Sequence, residues 1–381
     1  MVGETVVGLT LTLLLRRAGY DPLLVGGTGS PVPSRLTYLC APALRVLDAV
    51  GAGTRLRERS VTVDSVSVRQ VAPPEESRAV LARDGPPEET RPVVVRTRWL
   101  RRVLEERLPE EQRRAERAVD TFSRRDSGLV VEFGDGIREW FDVVVDAGGG
   151  GTSLRPAGRD PPKHDALAQY DTLVESDALP RNQVRDFWYP DAFVQLSPRP
   201  NDPGGMLRVT APRSAIATAL ESETVGNSIG EGVVVDALGG IAPERVETES
   251  TTVRQVRLSD GVGRREWWGD GRVAFCGPAA CPLAPGSGYG AWFGIEDAVA
   301  FVLELNGRGR PASDLVDAYA SGRNRRLAAL RRTAEAARPD HEYPLPRSAH
   351  PALASLGVFR HVALGEFLGE RLRAVRGEAF R

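Results

Sequence analysis

The chain has few residues that could form disulfides or hold a metal ion. Cysteine occurs only at Cys40, Cys276 and Cys281 in 381 residues. Three unevenly spaced cysteines are too few for a disulfide framework, which favours a reducing compartment, and we predict a cytoplasmic protein. The four histidines are scattered without the spacing of zinc ligands, so we predict no metal site.

Long hydrophobic runs and an excess of charge of one sign are lacking as well. The apolar run Val6–Leu15 is much shorter than the roughly 20 residues that a membrane-spanning helix needs, and Arg16 and Arg17 follow it directly. We therefore predict a buried helix there and no integral membrane segment. The formal net charge of -1 provides no long-range attraction to nucleic acid, so we predict no nucleic-acid partner.

The chain does contain an alternation of helical and strand patterns near its start. The pattern predicts a helix over Gly8–Ala18 and a strand over Leu23–Val25, which together form an αβ unit. Further helices are predicted from about Ala41 to Val50 and from about Trp99 to Leu108. Between them, alternating residues at positions 61–95 predict strands with one covered face.

Two kinds of strand are predicted in the rest of the chain. Residues 128–141 predict a β-hairpin, and the apolar runs Val143–Val145 and Gly271–Phe275 are typical of parallel strands buried between layers. Residues 182–260 predict an antiparallel sheet, because short strand patterns alternate there with Pro, Gly and Asp turns. A helix is predicted from about Gly294 to Leu305.

A glycine- and proline-rich segment, residues 277–291, connects the second buried strand to the following helix. Glycines allow main-chain N–H groups to approach an anion closely, and the helix adds the positive end of its dipole. The segment therefore predicts a loop that cradles a phosphate-bearing ligand. Taken alone, it is equally typical of a tight strand-to-helix connection that needs glycine for its geometry.

The order and spacing of this segment resemble the third FAD motif of the p-hydroxybenzoate hydroxylase-like monooxygenases. In that family Gly-Asp-Ala-Ala-His-Pro is followed by Pro, Gly-x-Gly-Ala and a downstream Glu-Asp-Ala. The resemblance implies that the loop contacts the ribityl chain and pyrophosphate of FAD. Pro278 stands where the family has the aspartate that binds the ribitol, and Cys281 stands where it has histidine. The matching residues are Pro282, Pro285, Gly288, Gly290, Ala291, Glu296, Asp297 and Ala298.

The N-terminal segment is similar to the family's Gly-x-Gly-x-x-Gly opening. Gly3 and Gly8 match its first and third glycines, whereas Thr5 replaces the second, which lets the main chain reach the pyrophosphate. We expect Thr5 to crowd that approach. The acidic residue that binds the adenosine ribose in the family falls at Gly26. Only two residues precede Gly3, so we expect that the sheet lacks its central strand or that the sequence starts late.

Two more segments carry the resemblance. Residues 141–155 resemble the family's Asp-Gly motif, which is associated with FAD and pyridine-nucleotide binding, but Gly148 replaces the aspartate and Thr152 the serine. Arg96 or Arg98 resembles the arginine at a helix start that contacts FAD, and the spacing leaves the choice open. An exposed arginine at a helix start is an equally good structural explanation.

The resemblance implies an α/β fold, in which a FAD-binding Rossmann-like, three-layer domain carries an inserted antiparallel β-sheet substrate domain. We predict a discontinuous FAD-binding domain from residues 1–70, 96–180 and 265–335, a substrate domain from residues 71–95 and 181–264, and a C-terminal helical tail from residues 336–381. The predicted cofactor-binding residues are Gly3, Gly8, Arg98, Gly277, Ala279, Pro285, Gly288, Gly290 and Ala291.

The implied function is that of a FAD-dependent monooxygenase. Such an enzyme uses NAD(P)H as a transient reductant and O2 to hydroxylate a small aromatic or apolar organic substrate, and the protein binds, orients and excludes water. No catalytic side chains are identified. A group of aromatic residues could line the substrate pocket or simply form the packed face of a sheet. These are Phe187, Trp188, Tyr189 and Phe193.

Two alternative functions share the fold. The first is a non-catalytic relative that has lost tight FAD binding, because Thr5, Gly26, Gly148 and Pro278 all replace cofactor determinants of the family. The second is a flavin-dependent reductase of isoprenoid type.

Overall fold

The computed structural model describes fifteen stretches of the chain: residues 1–26, 36–39, 41–72, 76–81, 91–114, 116–148, 154, 167–175, 181–188, 193–201, 204–212, 247–255, 267–280, 290–306 and 314–325. The α-helices in these stretches are α1 (Val6–Arg17), α2 (Ala41–Ala49), α3 (Gly53–Arg57), α4 (Thr97–Glu105), α5 (Gly290–Leu305) and α6 (314–325).

The strands in the described stretches form five hydrogen-bonded groups. They are β1 (Leu24–Val25), β2 (Leu36–Leu39), β3 (Ser60–Thr62), β4 (Ser65–Ala72), β5 (Glu76–Leu81), β6 (Val93–Arg96), β7 (Arg113–Arg114), β8 (Val119–Arg125), β9 (Gly128–Phe133), β10 (Arg138–Phe141), β11 (Val144–Asp146), β12 (Leu167–Glu175), β13 (Gln183–Trp188), β14 (Phe193–Pro198), β15 (Gly205–Pro212), β16 (Glu247–Gln255), β17 (Gly269–Asp270) and β18 (Val273–Phe275).

Two parallel strand pairs are joined through the N-terminal residues. Strand β11 pairs in parallel with β18, as their apolar runs predict. Strand β1 pairs in parallel with β7 as well. Val2 joins the two pairs, because it forms parallel bridges to both Val25 and Asp146. Its N–H donates to Val145 O at 2.8 Å, and Ala147 N–H donates to Val2 O at 2.8 Å. We expected a missing central strand or a late start of the sequence; in the structure the single residue Val2 lies at this central position.

Helix α1 is buried along most of its length, as the apolar run predicts. Every residue from Val6 to Leu15 is buried, including two threonines. Thr10 and Thr12 each donate a hydrogen bond from the hydroxyl to the carbonyl four residues earlier, at 2.7 Å, so both buried hydroxyl groups have an acceptor. Helix α1 packs against α5 and α4. No helix in the described part of the chain is long and apolar enough to cross a membrane.

Two smaller antiparallel sheets complete this part of the molecule. The predicted hairpin is confirmed, since β9 and β10 pair antiparallel and β8 pairs with the other edge of β9. Leu129, Val131 and Phe133 of β9 are buried and belong to the same core as α1 and α5. The second sheet has the order β2-β6-β3, and α4 follows β6 directly, two residues earlier than predicted.

A larger seven-stranded sheet has the order β16-β12-β15-β14-β13-β4-β5. Most of its pairs are antiparallel, as expected for residues 182–260, but β13 and β4 pair in parallel, so the sheet is mixed. Strands β4 and β12 lie in this sheet, although the predicted boundaries place most of β4 and all of β12 in the FAD-binding part. The α/β class with antiparallel sheets is thus present in the structure.

Candidate cofactor site

The glycines of the N-terminal motif allow the main chain to pack closely on itself. Gly3 has a φ of +101°, and a Cβ added there would collide with Gly148. A Cβ on Gly8 would collide with the carbonyl oxygen of Gly3. Both positions therefore require glycine for contacts within the protein, independently of any ligand.

Thr5 caps the N-terminus of α1. Its hydroxyl accepts a hydrogen bond from Gly8 N–H at 3.1 Å and donates to Ala147 O at 2.7 Å. The side chain that replaces the family's second glycine is thus bonded within the protein and takes one of the free amides of the helix terminus. No described residue accepts a hydrogen bond from Val6 N–H or Val7 N–H, so these two amides remain for an anion.

The sequence analysis did not single out Glu4, which lies between the two glycines. Its carboxylate accepts hydrogen bonds from Nε of Arg113 and, at 3.2 Å, from a terminal nitrogen of the same side chain. Arg101 of α4 lies within 3.9 Å of Glu4 and pairs with Glu105 at 2.7 Å. The hydrogen bond that Arg113 donates to Glu4 raises the pKa of Arg113, although partial burial opposes it. The carboxylates of Glu4 and Glu105 therefore balance the charges of Arg101 and Arg113 beside the glycine turn.

Two further positions of the family's cofactor motifs are shaped by the main chain. Gly26 is buried at the end of β1, and its N–H donates to Arg114 O at 3.1 Å, so no side chain is present there for a ribose. Gly148 N–H donates to Asp146 Oδ1 at 2.8 Å. A Cβ on Gly148 would lie 3.4 Å from that oxygen, an ordinary contact, so this position does not require glycine for lack of space at Cβ.

The predicted cradle at Gly277 is held by Asp297 of α5. Gly277 has a φ of +61°, and its N–H donates to Asp297 Oδ2 at 2.7 Å. A Cβ on Gly277 would lie 3.1 Å from the side chain of Val7 in the first turn of α1. The two glycine-containing segments that the sequence predicted as cofactor loops therefore meet through Val7.

Asp297 is part of a fully buried ionic cluster. Arg323 of α6 lies 2.6 Å from Glu296 Oε1 and 2.5 Å from Asp297 Oδ1, and all three side chains are no more than 2% exposed. Burial raises the pKa of Asp297 to about 7, against the lowering effect of Arg323 and of Gly277 N–H. Burial lowers the pKa of Arg323, but the two carboxylates raise it above its ordinary value overall.

Aromatic side chains exclude water from this cluster. The Arg323 guanidinium lies 4.5 Å from the ring centroid of Phe293 and 5.6 Å from that of Trp268. Tyr319 donates its hydroxyl to Phe275 O at 3.0 Å and contacts Cys276 Sγ at 3.2 Å. Burial raises the pKa of the Cys276 thiol, which makes it an inert core group.

The other predicted site residues are placed as follows. Ala279 is buried in the 3-10 turn after β18, whereas Pro278 is exposed. Gly290 and Ala291 form the start of α5, which begins four residues earlier than predicted. Several predicted residues lie outside the described part of the chain, and so do the side chains of the aromatic group in the larger sheet. They are Pro285, Gly288 and Tyr189, and the side chains of Phe187, Trp188 and Phe193.

Arg98 lies in the first turn of α4, and its side chain is exposed. Together with Arg96 it lines a cavity on the outer side of the helix rather than the contact between Val7 and Gly277. The hypothesis that one of these two arginines contacts FAD remains a prediction.

Comparison of the whole structure with solved structures shows the fold. The salicylate hydroxylase substrate complex superimposes with a TM-score of 0.74, with 21% identity over 98% of this chain and 96% of that chain. HpxO of Klebsiella pneumoniae, solved with FAD and uric acid, gives 0.70 with 18% identity over 99% of this chain and 94% of that chain. PqsL of Pseudomonas aeruginosa, a probable FAD-dependent monooxygenase, gives 0.68 with 18% identity over 94% and 98%.

The sequence comparisons gave no match, either to models of protein families or to curated proteins. The structural likeness therefore carries the comparison alone, and at these identities it shows the fold. The chain has the fold of the FAD-dependent aromatic hydroxylases.

Proposed function

We propose that this chain is a flavin-dependent oxidoreductase of the aromatic hydroxylase type, which binds FAD and acts on a small aromatic or apolar organic substrate with NAD(P)H and O2. The observation that carries the proposal is the meeting of the Gly3–Gly8 turn and the Gly277 turn through Val7. In the hydroxylase fold both segments belong to the cofactor motifs that the sequence resembles.

The described residues fit the cofactor in its main-chain contacts. The amides of Val6 and Val7 at the start of α1 would hold the pyrophosphate, helped by the helix dipole and by the lack of acidic residues in the first turn. Gly277 and the following turn would contact the ribityl chain, in a position set by Asp297. Bound FAD would supply the oxygen-transfer chemistry. The chain's own residues would orient the cofactor and exclude water.

The side-chain contacts fit less well, so we expect weak binding of FAD. Thr5 already occupies one amide of α1, and Gly26 has no side chain for the ribose. Each missing polar contact costs about 1–3 kcal/mol, which is a factor of roughly 5 to 150 in affinity. This is the specific observation that supports the second candidate, a non-catalytic relative that has lost tight FAD binding.

The visible absorption spectrum distinguishes the two candidates. We would record it for the purified protein before and after incubation with excess FAD and desalting. Oxidised-flavin bands that remain after desalting would support the main-chain cradle, and NAD(P)H oxidation in the presence of candidate aromatic compounds would be measured next. A colourless protein that also fails to bind FAD in an equilibrium titration would contradict the oxidoreductase proposal and favour the non-catalytic relative.

A further inference from the structure

A cavity of about 640 Å³ lies beside the first turn of α4, on its outer side. Among the described residues that line it, four are arginines and none is acidic. We call it the arginine pocket. Its main lining residues are Arg59, Arg96, Arg98, Trp99, Arg102 and Asn201.

The positive charge of Arg59, Arg98 and Arg102 is only partly balanced by the carboxylates that the structure describes. Arg102 donates to Glu106 at 3.0 Å, but the same carboxylate also pairs with Arg55 at 2.5 Å, so two cations share one anion. Arg98 forms no ion pair with any residue that the structure describes. Arg59 lies with its guanidinium 4.3 Å from the ring centroid of Trp99, a contact that positions it without neutralising it.

The start of α4 adds to this charge. The N-cap residue Arg96 makes no side-chain capping hydrogen bond, and the first turn contains no acidic residue. The free amides of the helix terminus therefore keep their partial positive charge next to the arginines. A concave surface with one sign of charge concentrates the field within it, which favours an anion.

We propose that the arginine pocket binds the phosphate group of a small molecule. Arginine forks match the oxygens of a phosphate in pairs, which makes arginine the preferred residue for this anion. The volume lies within the roughly 300–1,000 Å³ of small-molecule pockets, so a ligand of mononucleotide size fits. Arg59 covers a face of Trp99, so the phosphate rather than ring stacking provides the recognition.

The pocket differs from the proposed flavin cradle in its described residues, because none of Gly3, Gly8 and Gly277 lines it. The proposal gives Arg98 a role outside the predicted FAD contacts and does not rest on the proposed function. Its test uses the chain without FAD, so a failure of flavin binding and a failure of phosphate binding are separate results.

Isothermal titration calorimetry with matched ligand pairs tests the proposal. We expect 2′-AMP to bind and adenosine not to bind, and inorganic phosphate to bind where sodium chloride of equal ionic strength gives no heat. Arg98→Ala combined with Arg102→Ala should weaken 2′-AMP binding at least tenfold. The exposed Arg125, at the end of β8, provides the control, since Arg125→Ala should leave the affinity unchanged.

Equal binding of adenosine and 2′-AMP would overturn the proposal, and so would an equal loss in the Arg125→Ala control. Thermal unfolding of each variant shows that the fold is intact, which is expected because Arg98 and Arg102 are exposed. NADPH and NADH then identify the source of the phosphate. If NADPH binds more tightly than NADH, the pocket recognises the 2′-phosphate of a dinucleotide. If NADPH binds no more tightly than inorganic phosphate, the pocket recognises a free phosphate group. Both outcomes support the pocket.

Discussion

Gly277 N–H donates a hydrogen bond of 2.7 Å to the carboxylate of Asp297, which lies twenty residues later in the chain on α5. The bond ties the turn after β18 to the helix that follows, and Arg323 of α6 holds the same carboxylate from the other side. The geometry of the candidate cradle therefore depends on a helix that lies outside every motif of the sequence.

Loss of Arg323 should destabilise the fold strongly. Arg323→Met would leave Glu296 and Asp297 buried without their cation, and breaking a buried ion pair in this way costs about 3–5 kcal/mol. Urea unfolding measures this change. Arg325→Met, at an exposed position of the same helix, should change the free energy of unfolding by no more than about 0.5 kcal/mol. If both substitutions changed the free energy of unfolding equally, the buried ionic cluster would not contribute specifically to stability.

The free energy of unfolding should depend on pH through Asp297. Its pKa in the folded protein is raised to about 7 from 3.8, so between these values the folded state keeps a proton that the unfolded state has released. This contribution is fully present below about pH 4 and is lost as the pH rises towards 7, at no more than about 1.4 kcal/mol per pH unit.

Urea unfolding of the natural chain and of Asp297→Asn, from pH 4 to pH 8, isolates this contribution. The difference between the two profiles should change across the window and level off above pH 8. Asp317→Asn, at an exposed position of α6, serves as the control and should follow the natural chain. Parallel profiles for the natural chain and Asp297→Asn would refute the prediction.

Removal of the Thr5 cap should favour FAD. Thr5→Gly frees the amide of Gly8. Loss of the cap itself should cost only a few tenths of a kcal/mol because glycine is tolerated at an N-cap, and loss of the hydrogen bond to Ala147 O should cost about 1 kcal/mol more. Combined with Gly26→Glu and Pro278→Asp, it should raise FAD affinity by at least tenfold, measured by the quenching of flavin fluorescence. Thr5→Ser keeps the hydroxyl and should leave the affinity unchanged. An unchanged affinity in the triple variant would mean that the motifs are aligned wrongly.

The close approach of Gly8 to Gly3 should make position 8 intolerant of a methyl group. Gly8→Ala places a Cβ against the Gly3 carbonyl, and overpacking of this kind costs about 1–3 kcal/mol. Gly322→Ala is the matched control, because nothing lies within 4 Å of a Cβ there. Differential scanning calorimetry should show a lower Tm for Gly8→Ala only, and a Tm equal to that of the natural chain would contradict the close contact.

Local patterns in the sequence were sufficient for several elements. The length and periodicity of apolar runs predicted the buried helix α1, the hairpin of β9 and β10, and the parallel pair β11 and β18. Any other local structure would expose these apolar side chains to water. The first strand was different. Counting the residues before Gly3 suggested a missing central strand or a late start of the sequence; the structure has no named strand there and places Val2 alone between the two parallel pairs, bridged to Val25 and Asp146.

The sequence by itself determined the buried helix α1, the buried strands and the glycines at which the main chain turns, because apolar periodicity and glycine are local properties, whereas the α/β class followed from the family resemblance. Only the tertiary structure decided what those turns contact. Thr5 bonds Ala147, Glu4 bonds Arg113, and Arg323 reaches Asp297, each across a separation that no local pattern encodes. The sequence does not show whether a charged or hydroxyl side chain faces water or a buried partner. Only its burial in the tertiary structure distinguishes these two environments.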